Sequence, residues 1–239
     1  MEILPGIEIK GKALWLTKQK VLIISDLHLG YEEALAEEGF LVPRFGFDEM
    51  KRELTKLVKM KPKIVVINGD LKHEFGEISK QEWKEALALL DFLLEKSKVV
   101  LVKGNHDTIL EPIAKKKDLK IVDFYCVDDI CVLHGHKILL DKEIHEKKVK
   151  TIIIGHEHCA VSLREGIKQE LYKCFLKGKW HGKNLVVMPS FFPAYEGSDV
   201  KKEELLSPFL NKKTINNFEV FIVDEQNNIY YFGKLKNIT

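Results

Sequence analysis

Arginine is almost missing from this chain. Only Arg44, Arg52 and Arg164 occur, so nearly all of the 38 basic residues are lysine. Cysteine is sparse as well, and Cys126, Cys131, Cys159 and Cys174 form no CxxC pair, which excludes a thiolate metal ribbon or a dithiol redox motif. Cys126 and Cys131 stand five apart along one apparent strand. Alternation should send their side chains to opposite faces. No disulfide framework is therefore expected, and a reducing cytoplasm fits the chain best. Long apolar runs are also lacking. No stretch approaches the ~18–20 residues of a membrane span, and Met1-Glu2-Ile3-Leu4-Pro5 has neither the charged nor the apolar part of a signal peptide. A soluble cytoplasmic protein without a membrane partner is the expectation. Charge of one sign is not in excess either: the net charge is +2, which gives no global signature of nucleic-acid binding. Repeats, low-complexity tracts and linker-like segments are absent.

What remains is an ordinary globular composition. With 239 residues and 45% apolar content, one domain over residues 1–239 with an ample core is expected. Strand patterns open the chain at residues 7–9, 13–16 and 21–24, with Gly11-Lys12 as a hairpin turn. A short charged helix follows over residues 31–38. Residues 47–60 read as an amphipathic helix with Phe47, Met50, Leu54, Leu57 and Val58 on one face, ended by Pro62 before a strand at 64–67. The helix pattern over 79–96 is the clearest: Ser79 with Glu82 three residues on forms a capping box, and Trp83, Leu87, Leu90 and Leu94 give its buried stripe. A strand at 99–102 and a helix from about Thr108 continue a strand–helix–strand order that favours parallel pairing. Beyond residue 118 strands dominate, at 119–124, 130–133, 152–154, 161–163, 170–175, 185–188, 218–223 and 228–232, with one short helix near 142–149. The whole predicts an α/β (α+β) fold, a four-layer sandwich of two mixed β-sheets flanked by helices. The segment 190–213 has the least regular pattern.

Five polar clusters sit at the ends of apolar strands: Asp26-Leu27-His28, Gly69-Asp70, Gly104-Asn105-His106-Asp107, His134-Gly135-His136 and Gly155-His156-Glu157-His158. On an extended backbone Asp-x-His puts both side chains on one side, so Asp26 and His28 can clasp one cation. The Asp70 carboxylate can bridge two cations, Asn105 offers an amide oxygen, and His134, His156 and His158 offer imidazoles. Carboxylate, amide and imidazole without thiolate suit two divalent ions, Mn²⁺ first, with Fe, Zn²⁺, Ni²⁺ or Mg²⁺ as other occupants. Each cluster alone is a common turn feature. Five in order, each at a strand end, predict a two-metal hydrolase.

The order Asp-x-His, Gly-Asp, Gly-Asn-His-Asp, His-Gly-His, Gly-His-x-His resembles the signature of calcineurin-like metallophosphoesterases over residues 20–160. Asp26-Leu27-His28-Leu29-Gly30, Gly69-Asp70-Leu71-Lys72-His73, Met188-Pro189-Ser190-Phe191-Phe192-Pro193 and Gly197 are further similar to a narrower branch. That branch comprises the DNA ligase-associated phosphoesterases and their archaeal relatives, akin to the phosphoesterase domain of double-strand-break repair nucleases. The resemblance implies the metallophosphoesterase sandwich fold. It also implies a first metal held by Asp26, His28, Asp70 and His158, and a second held by Asp70, Asn105, His134 and His156. His106 would be the acid near the leaving group, with Asp107 orienting its imidazole. Many members carry Asp where this chain has His73, which is then expected behind the metal ligands.

Other candidates are weaker. His136 either contacts a substrate phosphate or packs in its loop. His145 and His181 are expected to face solvent, and Trp180 beside Lys177, Lys179 and Lys183 reads as a hairpin residue more than a base-stacking one. The lysines at 115–117, 201, 202, 212 and 213 read as a solvated face, or as an attractant for a polyanion if they border the cleft. The leading expectation is a phosphodiesterase or nuclease acting on DNA or nucleotides in a DNA-repair setting with repair-protein partners. A small-molecule phosphoesterase cleaving a cyclic nucleotide, an anhydride or a monoester is the alternative. A metal-free scaffold is disfavoured because every ligand position is filled.

Overall fold

Short runs of β-branched residues bounded by turns build two sheets, here seen in a computed structural model that describes residues 1–40, 42–145, 148–166 and 168–238. The first sheet has seven strands in sequence order. Glu2–Leu4, Ile7–Lys10, Ala13–Leu16 and Val21–Ile24 pair antiparallel. Val21–Ile24, Ile64–Asn68, Lys98–Val102 and Ile121–Val122 then run parallel. In the second sheet, Ile130–Leu133, Thr151–Ile154 and Lys183–Val187 form a parallel centre. The antiparallel strands Lys168–Trp180, Glu219–Val223 and Ile229–Lys234 extend that centre on one side.

Alternation along each strand decides which layer a side chain enters. Val21 and Ile23 face inward with Val66, Val102, Val132, Ile153, Phe175 and Val186, forming the core between the sheets. Leu22, Ile24, Val65 and Ile67 face outward against Met50 and Leu54 of the helix Gly46–Leu57 and against Leu89, Leu90 and Leu93 of the helix Lys80–Leu94. The outer face of the second sheet is covered by Ile144, Phe209, Ile215 and Leu235. The layers are therefore helix, sheet, sheet and helix, the expected four-layer sandwich.

Three expectations are corrected. The helix Lys80–Leu94 has its Ser79–Glu82 capping box, but it buries Ala86, Leu89, Leu90 and Leu93 while Leu94 is exposed. Leucines occupy both candidate stripes, so periodicity alone left the facing undecided, and contact with the sheet selected the other one. Glu82 is fully buried because its carboxylate accepts from backbone N–H groups. Cys126 and Cys131 do not share a strand: they stand directly opposite on the antiparallel strands Phe124–Val127 and Ile130–Leu133 and are joined as a disulfide. Asp128-Asp129 is the turn that separates them. Finally, the helix near 142–149 is seen as Lys142–His145, residues 146 and 147 lie outside those described, and so does the side chain of His145. Among the described residues no helix is long and apolar enough to cross a membrane.

Candidate metal centre

The five polar clusters meet at one end of the sandwich. Asp26, His28, Asp70 and His158 bring one ligand atom each within 4.8 Å of one another, and Asp70, His134 and His156 do the same beside them. Asn105 completes the second set, its Oδ1 lying 3.0 Å from His134 Nε2. Asp26, His28, Asp70 and Asn105 follow strands of the first sheet; His134, His156 and His158 follow strands of the second. The parallel pairing at the centre of each sheet carries these loops to the same edge, where ligand sites of open α/β sheets are found.

The convergence does not come from extended Asp-x-His backbone. Asp26, His28, Asp70, His156 and His158 have φ of 56°, 42°, 48°, 64° and 48°, all left-handed. For non-glycine residues such φ values are uncommon, and each costs about 1–3 kcal/mol unless the surroundings impose it. Here backbone bonds do impose it. Asp26 N donates to Gly69 O at 3.2 Å, and Leu27 N and His28 N both donate to Asp70 O at 2.9 Å. Two glycines make the approach possible: a β-carbon at position 104 would collide with the Asp70 carboxylate, and one at 155 with the Asp26 carboxylate and Ser25 Oγ.

The donor set fits a pair of divalent ions. His28 Nε2 and His158 Nε2 face each other at 3.0 Å, and His158 Nε2 is 3.3 Å from Asp26 Oδ1. Asp70 Oδ2 is buried and has no hydrogen-bond partner among the described residues. It lies 3.2 Å from His134 Nε2 and 4.0 Å from both His28 Nε2 and His106 Nε2. A buried carboxylate oxygen set among three imidazole nitrogens, with an ion-pair contact to His134 but no well-formed hydrogen bond, is an arrangement that suits a bridging ligand. The other oxygen is fixed, since Asp70 Oδ1 accepts from His106 N at 2.9 Å. Asp26 is fixed as well: its Oδ2 accepts from Ser25 Oγ at 2.7 Å, and both oxygens lie 3.1 Å from His156 N.

Electrostatics favours the metal-binding form of Asp26, Asp70, His28 and His156. Burial opposes ionisation of Asp26 and Asp70, yet the surrounding histidines outweigh it and hold both below the usual carboxylate range. Burial drives His28 well below its ordinary value, with His158 adding to the effect. Burial and the neighbouring His134 push His156 and His136 down to about 4. Neutral imidazole is the ligating form. His134 is the exception: burial disfavours its cation, but Asp70 and Asp26 hold it up at about 9.

The remaining candidates separate clearly. His106 Nδ1 bonds with the His73 carbonyl, so Nδ1 carries the proton and Nε2 faces Asp70. The Asp107 carboxylate does not touch that imidazole. It accepts from Leu71 N at 3.1 Å and Gly104 N at 2.9 Å, stitching two site loops together, and burial together with Asp70 raises it to about 6. The expected orienting role of Asp107 is thus taken by the His73 backbone, because Asp107 is turned inward at the start of a short 3₁₀ turn. The His73 ring lies 5.5 Å from His28 and 5.6 Å from His106, and the three bring one ligand atom each within 4.8 Å of one another. His136 is half-buried, its ring 5.3 Å from His134. His181 is on the turn of the hairpin formed by Lys168–Trp180 and Lys183–Val187, and Trp180 packs on Phe209, so neither belongs to the centre.

Four residues of this region were not singled out from sequence. Ser190 Oγ donates to Asp26 O at 2.7 Å and accepts from Phe192 N at 3.2 Å. Lys173 Nζ donates to the carbonyls of Ser190, at 2.9 Å, and Phe192. Glu157 points away from the two histidines flanking it and accepts from Leu206 N at 3.0 Å and Ser207 N at 2.9 Å; alternation around His156 and His158 was its available signal. Tyr195 lies over the centre, 5.8 Å from His28 and 4.8 Å from His158. No local pattern marks it.

Comparison with known proteins agrees with this geometry. The model of the calcineurin-like phosphoesterase family matches residues 19–141, just over half of the chain; His156 and His158 lie beyond the match and are added by the fold. Over 173 residues the chain is 26% identical to the DNA polymerase II small subunit of Methanocaldococcus jannaschii, covering 62% of this chain and 29% of that protein. It thus spans under a third of that relative's length. The crystal structure of Pseudomonas putida nuclease MPE superposes with a TM-score of 0.66 at 14% identity, covering 95% of this chain and 94% of that one. The two share a fold along nearly their whole lengths. With the match spanning the first three ligand loops and reaching through the His134-Gly135-His136 loop, the chain belongs to the calcineurin-like phosphoesterase family, hydrolases of phosphoric esters.

Proposed function

We propose that this chain is a binuclear metal-dependent phosphodiesterase or nuclease acting on DNA or nucleotides, with Mn²⁺ as its preferred ion, and that residues 1–239 act as one domain. The observation that carries the reading is Asp70, the one residue common to both ligand sets, with its buried Oδ2 left without a hydrogen bond among the described residues. Asp26, His28, Asp70 and His158 would hold one ion; Asp70, Asn105, His134 and His156 would hold the other. When bound, such ions supply Lewis acidity that lowers the pKa of water and offsets charge on phosphoryl oxygens.

The rest of the chemistry belongs to the chain. His106, with Nδ1–H held by the His73 carbonyl, would present Nε2 to the leaving oxygen and, in its doubly protonated form, give up the Nε2 proton there and return to neutral imidazole, an effect of about 10²–10⁴-fold. Asp107 positions the turn that carries Asn105 and His106 by bonding Leu71 N and Gly104 N. His136 stands beside the second ligand set at the distance of a neighbouring ring and is assigned to substrate phosphate. The likeness in fold to a nuclease and the partial relationship to a polymerase subunit support a nucleic-acid setting, in DNA repair with protein partners.

The test is an activity panel of the Mn²⁺-supplied protein on bis-p-nitrophenyl phosphate, p-nitrophenyl phosphate, cyclic nucleotides, and single- and double-stranded DNA. Cleavage of the diester and of DNA is expected. Hydrolysis confined to the monoester overturns the diesterase reading, and diester cleavage without DNA cleavage removes the nuclease.

A further inference from the structure

Phe75 is an exposed ring that the chemistry above does not use. It is 51% exposed in the irregular segment that leads from the Asp70 loop to the helix Lys80–Leu94. Its inner face lies on the His106 imidazole, with centroids 3.8 Å apart and planes inclined by 33°. The loop that carries it is pinned. Glu82 accepts from His73 N at 2.9 Å, Glu74 N at 2.7 Å and Ser79 N at 2.8 Å, and the Phe75 carbonyl accepts from Thr108 Oγ1. Backbone on both sides of the ring is therefore fixed while its outer face stays open to water.

The flank around it is aromatic. The His73 ring stacks 5.6 Å from His106 at 26°, Tyr31 meets His73 at 5.0 Å, and Tyr195 meets Tyr31 at 5.4 Å and His158 at 4.8 Å. On the opposite flank, His134, His136 and His156 make ring contacts only with each other among the described residues. Phe75 and the tyrosine rings thus gather with imidazoles on the His106 side, while the other side has imidazoles alone among these ring contacts.

The geometry points to Phe75 as a stacking platform for an unpaired nucleobase on the leaving-group side. The favoured substrate is then a phosphodiester whose departing product is a nucleoside or nucleotide. This rests on the reading that His106 faces the leaving oxygen. A base offers a π-face of any sequence to such a ring, and a ring already immobilised loses little freedom on binding. An alkyl or phosphate leaving group gains nothing from it.

Three dinucleoside monophosphates test the proposal with Mn²⁺-supplied protein: thymidine joined to thymidine, and the two versions in which one base is removed as tetrahydrofuran. The product released without phosphate identifies the leaving side. In the wild type, removing the leaving-side base should lower kcat/KM by about tenfold; in Phe75→Ala that discrimination should vanish. Phe75→Leu keeps an apolar cover on His106 and should behave as Phe75→Ala, whereas Phe75→Trp should keep the discrimination. A leaving-side 2-aminopurine should lose fluorescence on binding to the wild type and keep it with Phe75→Leu. A uniform slowing of all three substrates by Phe75→Ala would reduce the ring to a cover over His106 and overturn the proposal. So would indifference of the wild type to the leaving-side base, or resistance of every dinucleotide while bis-p-nitrophenyl phosphate is cleaved. Resistance of bis-p-nitrophenyl phosphate as well would fell the diesterase reading and this proposal with it.

Discussion

Replacing Ser190 by alanine removes one hydroxyl and strikes the candidate centre from behind. That hydroxyl donates to Asp26 O at 2.7 Å and accepts from Phe192 N at 3.2 Å, and Ser190 is fully buried. The variant leaves a carbonyl and an N–H without these partners where water cannot replace them, at about 1–3 kcal/mol each. A total of about 2–6 kcal/mol follows if the backbone stays in place. It need not stay, because Asp26 is held at the strained φ of 56°, and without Ser190 only the bonds to Gly69 and Asp70 remain to impose it. Relaxation would recover part of the loss in the metal-free protein and transfer it to metal binding, where each 1.4 kcal/mol is about tenfold in affinity. Urea unfolding of metal-free protein and a Mn²⁺ titration followed by calorimetry should be read together. The two losses should sum to about 2–6 kcal/mol whatever their division. Unchanged stability together with unchanged Mn²⁺ affinity would show that Ser190 does not support Asp26.

Further outcomes can be checked more simply. His106→Asn should slow diester hydrolysis by about 10²–10⁴-fold with the bound-metal content by elemental analysis unaltered; loss of metal would contradict its assignment to the leaving group. Asp70→Asn should release at least one ion, since Asp70 is the residue both ligand sets share; full metal stoichiometry would remove the bridging role. Burial, with repulsion from Lys12, pushes Lys173 down to about 7 from its ordinary 10.5. The unfolded chain therefore binds more protons between those values, so wild-type stability relative to Lys173→Met should rise across that window and stay level below it. Urea unfolding at about pH 6, 8 and 10 measures the difference, and a pH-independent gap would refute the burial argument.

Much of this was legible because strands and ligands obey local rules. Val21–Ile24, Ile64–Asn68 and Ile130–Leu133 are short apolar runs ending in polar clusters, and parallel pairing leaves such clusters few places to go except together. The Ser79 capping box declared itself because it closes within four residues. The misreadings share a different physics. Asp26 and His28 converge through left-handed backbone that neighbouring loops impose, which strand alternation does not encode. Cys126 and Cys131 stand opposed because Asp128-Asp129 turns the chain back, so cross-strand pairing and not alternation along one strand sets their positions. Phe75, Tyr195 and Ser190 act from irregular segments whose place is set by long-range contacts such as that of Lys173 with Ser190 and Phe192. Asp107 faced inward for a similar reason, its partners being Leu71 and Gly104 from two separate loops.

The candidate ligands are divided between the sheets, with Asp26, His28, Asp70 and Asn105 on one and His134, His156 and His158 on the other. Any ion seated there rivets the two halves of the sandwich at their open end. Chelation should then act as a mild denaturant aimed at that end, because an ion at about a hundred times its dissociation constant contributes about 2.7 kcal/mol to the folded state. Catalysis and mechanical closure of the two halves would thus share a single fastening.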